Sequence, residues 1–70
     1  MKTYVTFGQV HTHSINGKTL DKDSVAVIER DTEQEGRSAA FEYFGKKFFT
    51  TYADTPPKME YFPRGFIEID

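Results

Sequence analysis

Cysteine and tryptophan are absent from these 70 residues, and leucine occurs once, at Leu20. Without thiols no disulfide can staple a small fold and no Cys-based zinc site can form; the composition suits a reducing, cytoplasmic setting. No apolar run approaches the roughly 20 residues that span a bilayer, so no membrane is expected as a partner. No basic stretch followed by an apolar one opens the chain as a secretory signal would. A basic excess is missing too: 9 Lys and Arg stand against 11 Asp and Glu, a formal net charge of −2. Because phosphate neutralisation drives nucleic-acid affinity, nucleic acid is a disfavoured partner. The 5 glycines are scattered and form neither a phosphate-binding loop nor a dinucleotide fingerprint. A single soluble domain over residues 1–70 is expected, of a size that buries only about 60% of the surface its unfolded chain exposes.

Aromatic rings are plentiful instead. Seven Phe and four Tyr make 16% of the chain. A core built from rings and β-branched residues suits a small domain, since each ring buries a large area. A sheet carrying one helix has a single well-covered face, so some rings are expected at the edge or outside. Charge is also unevenly placed. Residues 18–35 hold six acids (Asp21, Asp23, Glu29, Asp31, Glu33, Glu35) against three bases, whereas five of each cancel in residues 36–70. The acids read either as a solvated face with an acidic first helical turn or as a surface that meets something basic.

Along the chain, Thr3 to Val10 has strand character, with Val5 and Phe7 on one face and Gly8 marking a bulge. Asn16-Gly17 is a tight-turn signal, and Lys18 to Asp23 reads as a loop or irregular hairpin arm. Ser24 to Arg30 contains an apolar run short enough for a central strand. Thr32 and Glu35 have capping-box spacing, which predicts a helix over Glu33–Phe44 closed by Gly45. Helical periodicity gathers Gly36, Ala39, Ala40, Phe41, Tyr43 and Phe44 on one side, with Arg37 inside that arc and paired to Glu33. Gly36 and the two alanines would let the helix approach the sheet closely. Lys46 to Tyr52 reads as a strand, Pro56-Pro57 as loop, Met59 to Phe62 as extended, and Phe66 to Ile69 as a final strand whose Phe66 and Glu68 oppose Ile67 and Ile69. The order β-β-α-β-β predicts an α+β two-layer domain: an antiparallel sheet of three or four strands with one helix across it.

Chemistry-bearing residues are sparse. His11 and His13 alternate on a strand and would project together, with Asp21 or Asp23 within reach as a further ligand. No carboxylate stands at a fixed spacing from them, so they read as solvent-facing hairpin histidines, and no metal or cofactor is expected. Asp21 and Asp23 sit in a polar loop of a chain with little room for a pocket that would bury and position catalytic carboxylates, and Ser14, Ser24 and Ser38 lack a nucleophile context. The chain reads as non-enzymatic. Phe48, Phe49, Tyr52, Tyr61 and Phe62 near Lys46, Lys47, Lys58 and Arg64 have the composition of a base-stacking surface, although one of Phe48 and Phe49 must face the core because they point oppositely. Tyr61-Phe62-Pro63-Arg64-Gly65 joins interface-type residues to a stiffening proline, or else forms a turn whose rings close the core.

Tyr4-Val5-Thr6-Phe7-Gly8-Gln9, His11-x-His13, Asn16-Gly17-Lys18-Thr19, Asp21-Lys22-Asp23, Val25-Ala26-Val27-Ile28-Glu29, Ala40 to Gly45 with Lys47-Phe48, and Phe62-Pro63-Arg64-Gly65 together resemble a group of short bacteriophage-encoded proteins. The likeness runs over nearly the whole chain, carries no catalytic motif, and departs from the group at Ser24, where relatives often have Cys. It implies an anti-defence role in the host cytoplasm of the anti-CRISPR kind, by binding and inhibiting a host defence protein or complex. Asp21, Asp23, Glu29, Asp31 and Glu33 would then occupy a basic groove on the target, with Tyr61, Phe62 and Arg64 as the desolvated anchor. Two alternatives stand beside it: an oligomeric sponge for a cyclic nucleotide signal, and a small single-stranded nucleic-acid-binding module; the sequence leaves the oligomeric state open, a homodimer included.

Overall fold

The structure, a computed structural model, describes residues 1–15 and 17–69. Six strands, one α-helix and one 3₁₀ turn follow one another as β1 (Lys2–Thr6), β2 (His13–Ile15), β3 (Lys18–Leu20), β4 (Ser24–Glu29), α1 (Glu33–Phe44), β5 (Thr50–Ala53), the 3₁₀ turn (Met59–Tyr61) and β6 (Gly65–Glu68). Four strands make one sheet in the order β5-β1-β4-β6, and β2 and β3 form a separate hairpin. The α+β class holds. Among the described residues no helix is long and apolar enough to cross a membrane.

The two central strands are buried on both faces, which explains their unbroken apolar and β-branched sequences. Toward α1 they present Val5, Phe7, Ala26 and Ile28, which pack with Ala39, Ala40, Phe44 and Leu20. Away from α1 they present Tyr4, Val25 and Val27, against which Phe62 and Phe66 pack. Ile67 and Ile69 join the helix side and Phe66 the other, the alternation expected for that strand.

Thr32 caps α1 by accepting from the Glu35 N–H at 3.1 Å. The reciprocal half of the box differs: the Thr32 hydroxyl donates to Glu35 Oε1 at 3.0 Å. The Gly45 N–H closes the other end on the Phe41 carbonyl at 2.8 Å. The helix meets β1 at Gly36, where a Cβ would collide with Thr3 Oγ1 and stand 2.9 Å from Thr3 Cβ. Thr3 is fully buried, and its hydroxyl has no hydrogen-bond partner among the described residues.

Several expectations are corrected. The sheet is mixed, because β6 runs parallel to β4 while β1 is antiparallel to both β4 and β5. The cause is the segment 54–64. β5 ends beside Lys2, and the chain then runs back across the helix-free face until the Arg64 N–H reaches the Asp23 carbonyl at the start of β4, at 2.8 Å. Eleven residues reach up to about 36 Å when extended, ample for such a return. Part of this segment is the 3₁₀ turn rather than extended chain, so the second face is half covered. The first strand stops at Thr6 and the chain turns after Phe7, while the third begins at Thr50, four residues later than Lys46. Phe41 and Tyr43 lie outside the buried stripe, 52% and 38% exposed, since the close helix-to-sheet spacing leaves room only for the small residues and Phe44. Arg37 makes no ion pair with Glu33 among the described residues. The Asn16 half of the tight-turn signal lies outside the described residues; its flanks, Ile15 and Lys18, pair as a hairpin requires.

The Gly36 contact makes a prediction opposite in sign to helix propensity. Gly36→Ala gains about 1 kcal/mol of propensity but must force the helix off Thr3, and such overpacking costs more, up to about 3 kcal/mol. Urea unfolding should show a net loss of about 1–2 kcal/mol for Gly36→Ala, while Ser38→Ala on the exposed face stays within about 0.5 kcal/mol of the parent.

Candidate binding surface

Five of the eleven rings are exposed by more than a third: Phe41, Tyr43, Phe49, Tyr52 and Tyr61. Three of these meet on the helix-free side of the sheet. Tyr52 lies opposite Tyr4 across the β1–β5 ladder, Phe49 is 71% exposed, and Tyr61 on the 3₁₀ turn is 67% exposed. With half-buried Phe62 they wall a groove of about 320 Å³, floored by Thr6 and Gly8 and edged by Gln9 and Lys22. Gly8 has φ +66°, and a Cβ there would come within 3.2 Å of Phe49 Cβ. Only glycine lets the chain leave β1 sharply enough for Phe49 to lie against it. Gly8 is therefore a turn residue under the groove instead of a bulge.

Lys22, at the edge of the groove, belongs to a turn held by a polar lock. The Asp21 carboxylate accepts the Asp23 N–H on Oδ1 at 2.9 Å and faces Arg64 Nη1 with Oδ2 at 3.4 Å. Buried Ser24 Oγ accepts the Asp21 N–H at 2.8 Å and donates to the Asp21 carbonyl at 3.3 Å, so this side chain serves packing and the turn. Lys22 Nζ lies 3.9 Å from Asp23. The turn before β4 and the segment entering β6 are thus joined through Asp21 and Arg64.

Among the residues singled out by sequence, the structure brings Asp21, Asp23, Tyr61, Phe62 and Arg64 to this one region. Glu29, Asp31 and Glu33 lie at the far end of β4, about 20 Å away at the rise of a strand. Glu29 there holds the Met1 ammonium at 2.8 Å; hydrogen bonding to that cation pulls the Glu29 carboxyl below its ordinary range and pushes the amine above its own. The acids form two separate groups. Phe49, Tyr52, Gln9 and Lys22 are the groove members that the partner-binding expectation left out. The opposed Phe48 and Phe49 carried the signal: Phe48 packs on the helix-side core, with its ring 5.1 Å from that of Phe41, and Phe49 faces out.

The histidine expectation is also corrected. His13 is half-buried, its ring 4.9 Å from Phe44 and 5.6 Å from Phe7, and its Nε2–H donates to the Lys47 carbonyl at 2.6 Å. It fastens the hairpin to the chain after α1. Among the described residues no group of three or more His, Asp or Glu is placed to hold a metal ion. With this geometry in hand, comparison with protein-family models, curated proteins and solved structures finds no match.

Two measurements test this description. Ser24→Ala removes the acceptor of the half-buried Asp21 N–H and should cost about 1–2 kcal/mol in urea unfolding, whereas Arg64→Ala breaks an exposed pair and should cost under about 1 kcal/mol. For Glu29, a depressed folded pKa means that its stabilisation is complete above about pH 4.3 and disappears as pH falls through the lower folded value. The acid-unfolding curve of Glu29→Gln should lose that component and match the parent's shape near neutrality except for a constant offset.

Proposed function

We propose that the protein is a non-catalytic binder, a phage-encoded counter-defence protein that inhibits a host defence complex by seating part of it against the ring-lined groove. One observation carries the reading: Phe49, Tyr52, Tyr61 and Phe62 converge on the helix-free face of the sheet, where a small domain with so few large apolar side chains would otherwise place polar residues. Rigid aromatic rings lose little entropy on binding and dominate interface energetics. Asp31 and Glu33, exposed at the far end of β4, act at longer range by steering a basic target toward the protein.

The groove also supports a second reading. Its rings, together with Lys22, would stack a base and meet a phosphate, as a cyclic-nucleotide sponge requires. The neighbouring turn offers no net positive charge to a phosphate, because Arg64 is matched by Asp21 and Lys22 by Asp23.

Capture from host lysate tests both. A tagged wild-type chain should retain a defence component, and Phe49→Ala with Tyr61→Ala should weaken capture by about 30-fold or more, the loss expected of two anchor rings. Reversal of Asp31 and Glu33 to Lys should slow association and flatten its salt dependence with little change in dissociation. Capture unaffected by the ring double variant removes the groove from the mechanism. Calorimetric binding of a cyclic nucleotide, abolished by the same variant, would transfer the groove to the second reading.

A further inference from the structure

The outer edge of β5 has the hydrogen-bonding groups and charges to pair with its own copy. The Asp54 N–H donates to the Lys2 carbonyl at 2.7 Å, so Tyr52, two residues back and paired with Tyr4, also points its backbone groups toward β1. Alternation turns the N–H and C=O groups of Thr51 and Ala53 outward. β5 is the last strand of the sheet on that side, and its sequence Thr-Thr-Tyr-Ala holds neither Pro, Lys nor any charge to guard an open edge. Beside it runs a trough of about 400 Å³ lined by Thr50 to Ala53 and Thr55 and overhung by Glu33 and Arg37 of α1. These two residues carry opposite charges and make no ion pair among the described residues.

We infer that two copies join edge to edge through β5, antiparallel about a twofold axis at Tyr52, into one eight-stranded sheet. The register follows from the alternation. Thr51 of each copy exchanges both backbone hydrogen bonds with Ala53 of the other, and the two Tyr52 residues face one another as a non-hydrogen-bonded pair with Cα atoms about 4.5 Å apart. Tyr52, 41% exposed in the single chain, gains an aromatic cross-strand partner of the kind that stabilises antiparallel pairs. The twofold axis stands perpendicular to the sheet, so both helices lie on one face. Arg37 of one copy then points toward Glu33 of the other, a self-complementary arrangement of the kind a twofold interface requires. The inference rests on the β5 edge and the two helical charges above it; it shares Tyr52 with the groove, and its readout is the mass of the purified chain, which target capture does not affect.

The absence of native cysteine makes the register testable. Tyr52→Cys should oxidise to a disulfide-linked dimer, since its Cα separation approaches disulfide geometry. Thr50→Cys, on the same face but about 14 Å from its twin in this register, should remain unlinked. By light scattering and native mass spectrometry the wild-type chain should be a concentration-dependent dimer. Arg37→Glu alone and Glu33→Arg alone should each weaken dimerisation about tenfold, and mixing the two should restore it as a heterodimer, an outcome that ion pairing within one chain cannot produce. A wild-type chain that stays monomeric up to millimolar concentration, equal cross-linking of Thr50→Cys and Tyr52→Cys, or a failure of the mixed variants to combine would overturn the inference. Circular dichroism on each exposed-site variant confirms that folding is intact before the masses are read.

Discussion

The approach of Gly36 to Thr3 sets the thickness of the whole domain. With no side chain at Gly36, α1 settles directly on β1, and Ala39 and Ala40 continue the same close line toward Phe44. Phe44 is the one large helical residue that enters, meeting Phe7 edge-on with ring centres 5.0 Å apart. So narrow a layer buries small side chains well and excludes further rings. Phe41 and Tyr43 consequently remain on the outer flank. The unpaired Thr3 hydroxyl is the cost of the contact, of the order of 1–3 kcal/mol for a buried polar group without a partner, and burial of Val5, Phe7 and Ile28 at about 1.5–3 kcal/mol each outweighs it.

The opposite face of the sheet obeys a different constraint. Among the described residues no second helix covers it; the return segment 54–64 does so in part, bringing Phe62 against Tyr4, Val25 and Val27. Coverage is partial over β4 and absent over the outer part of β5. Rings on that side gather into a groove, because the turn at Gly8 and the 3₁₀ turn at Met59–Tyr61 bring Phe49, Tyr52 and Tyr61 to one place. The open β5 edge lies directly beside this groove, with Tyr52 common to both.

Charge serves two separate purposes here. Asp21 and Glu29 hold the structure: the first organises the turn before β4 and receives Arg64, the second fastens the Met1 ammonium across the end of β1. Asp31 and Glu33 stay exposed, and under the proposed function they are the ones that would steer a target. The acidic stretch visible in the sequence therefore splits by partner, and binding arguments that treat its members alike would confuse folding effects with recognition.

Local features were legible in the sequence because their causes are local. Thr32, Glu35 and Gly45 mark the ends of α1 through bonds within one turn of the chain, the alternation of Ile67 and Ile69 against Phe66 follows from strand geometry, and the opposition of Phe48 to Phe49 follows from the same rule. The α+β class followed from one capped helix among β-branched runs. Tertiary structure decided the rest. The parallel placement of β6 depends on a return segment whose path is set by where Phe62 and Arg64 find partners; the burial of His13 depends on Phe7 and Phe44 arriving beside it; the groove depends on residues 6 to 62 meeting in space. Such contacts join positions far apart along the chain, and no short-range pattern encodes which distant ring or carbonyl will be there to meet them.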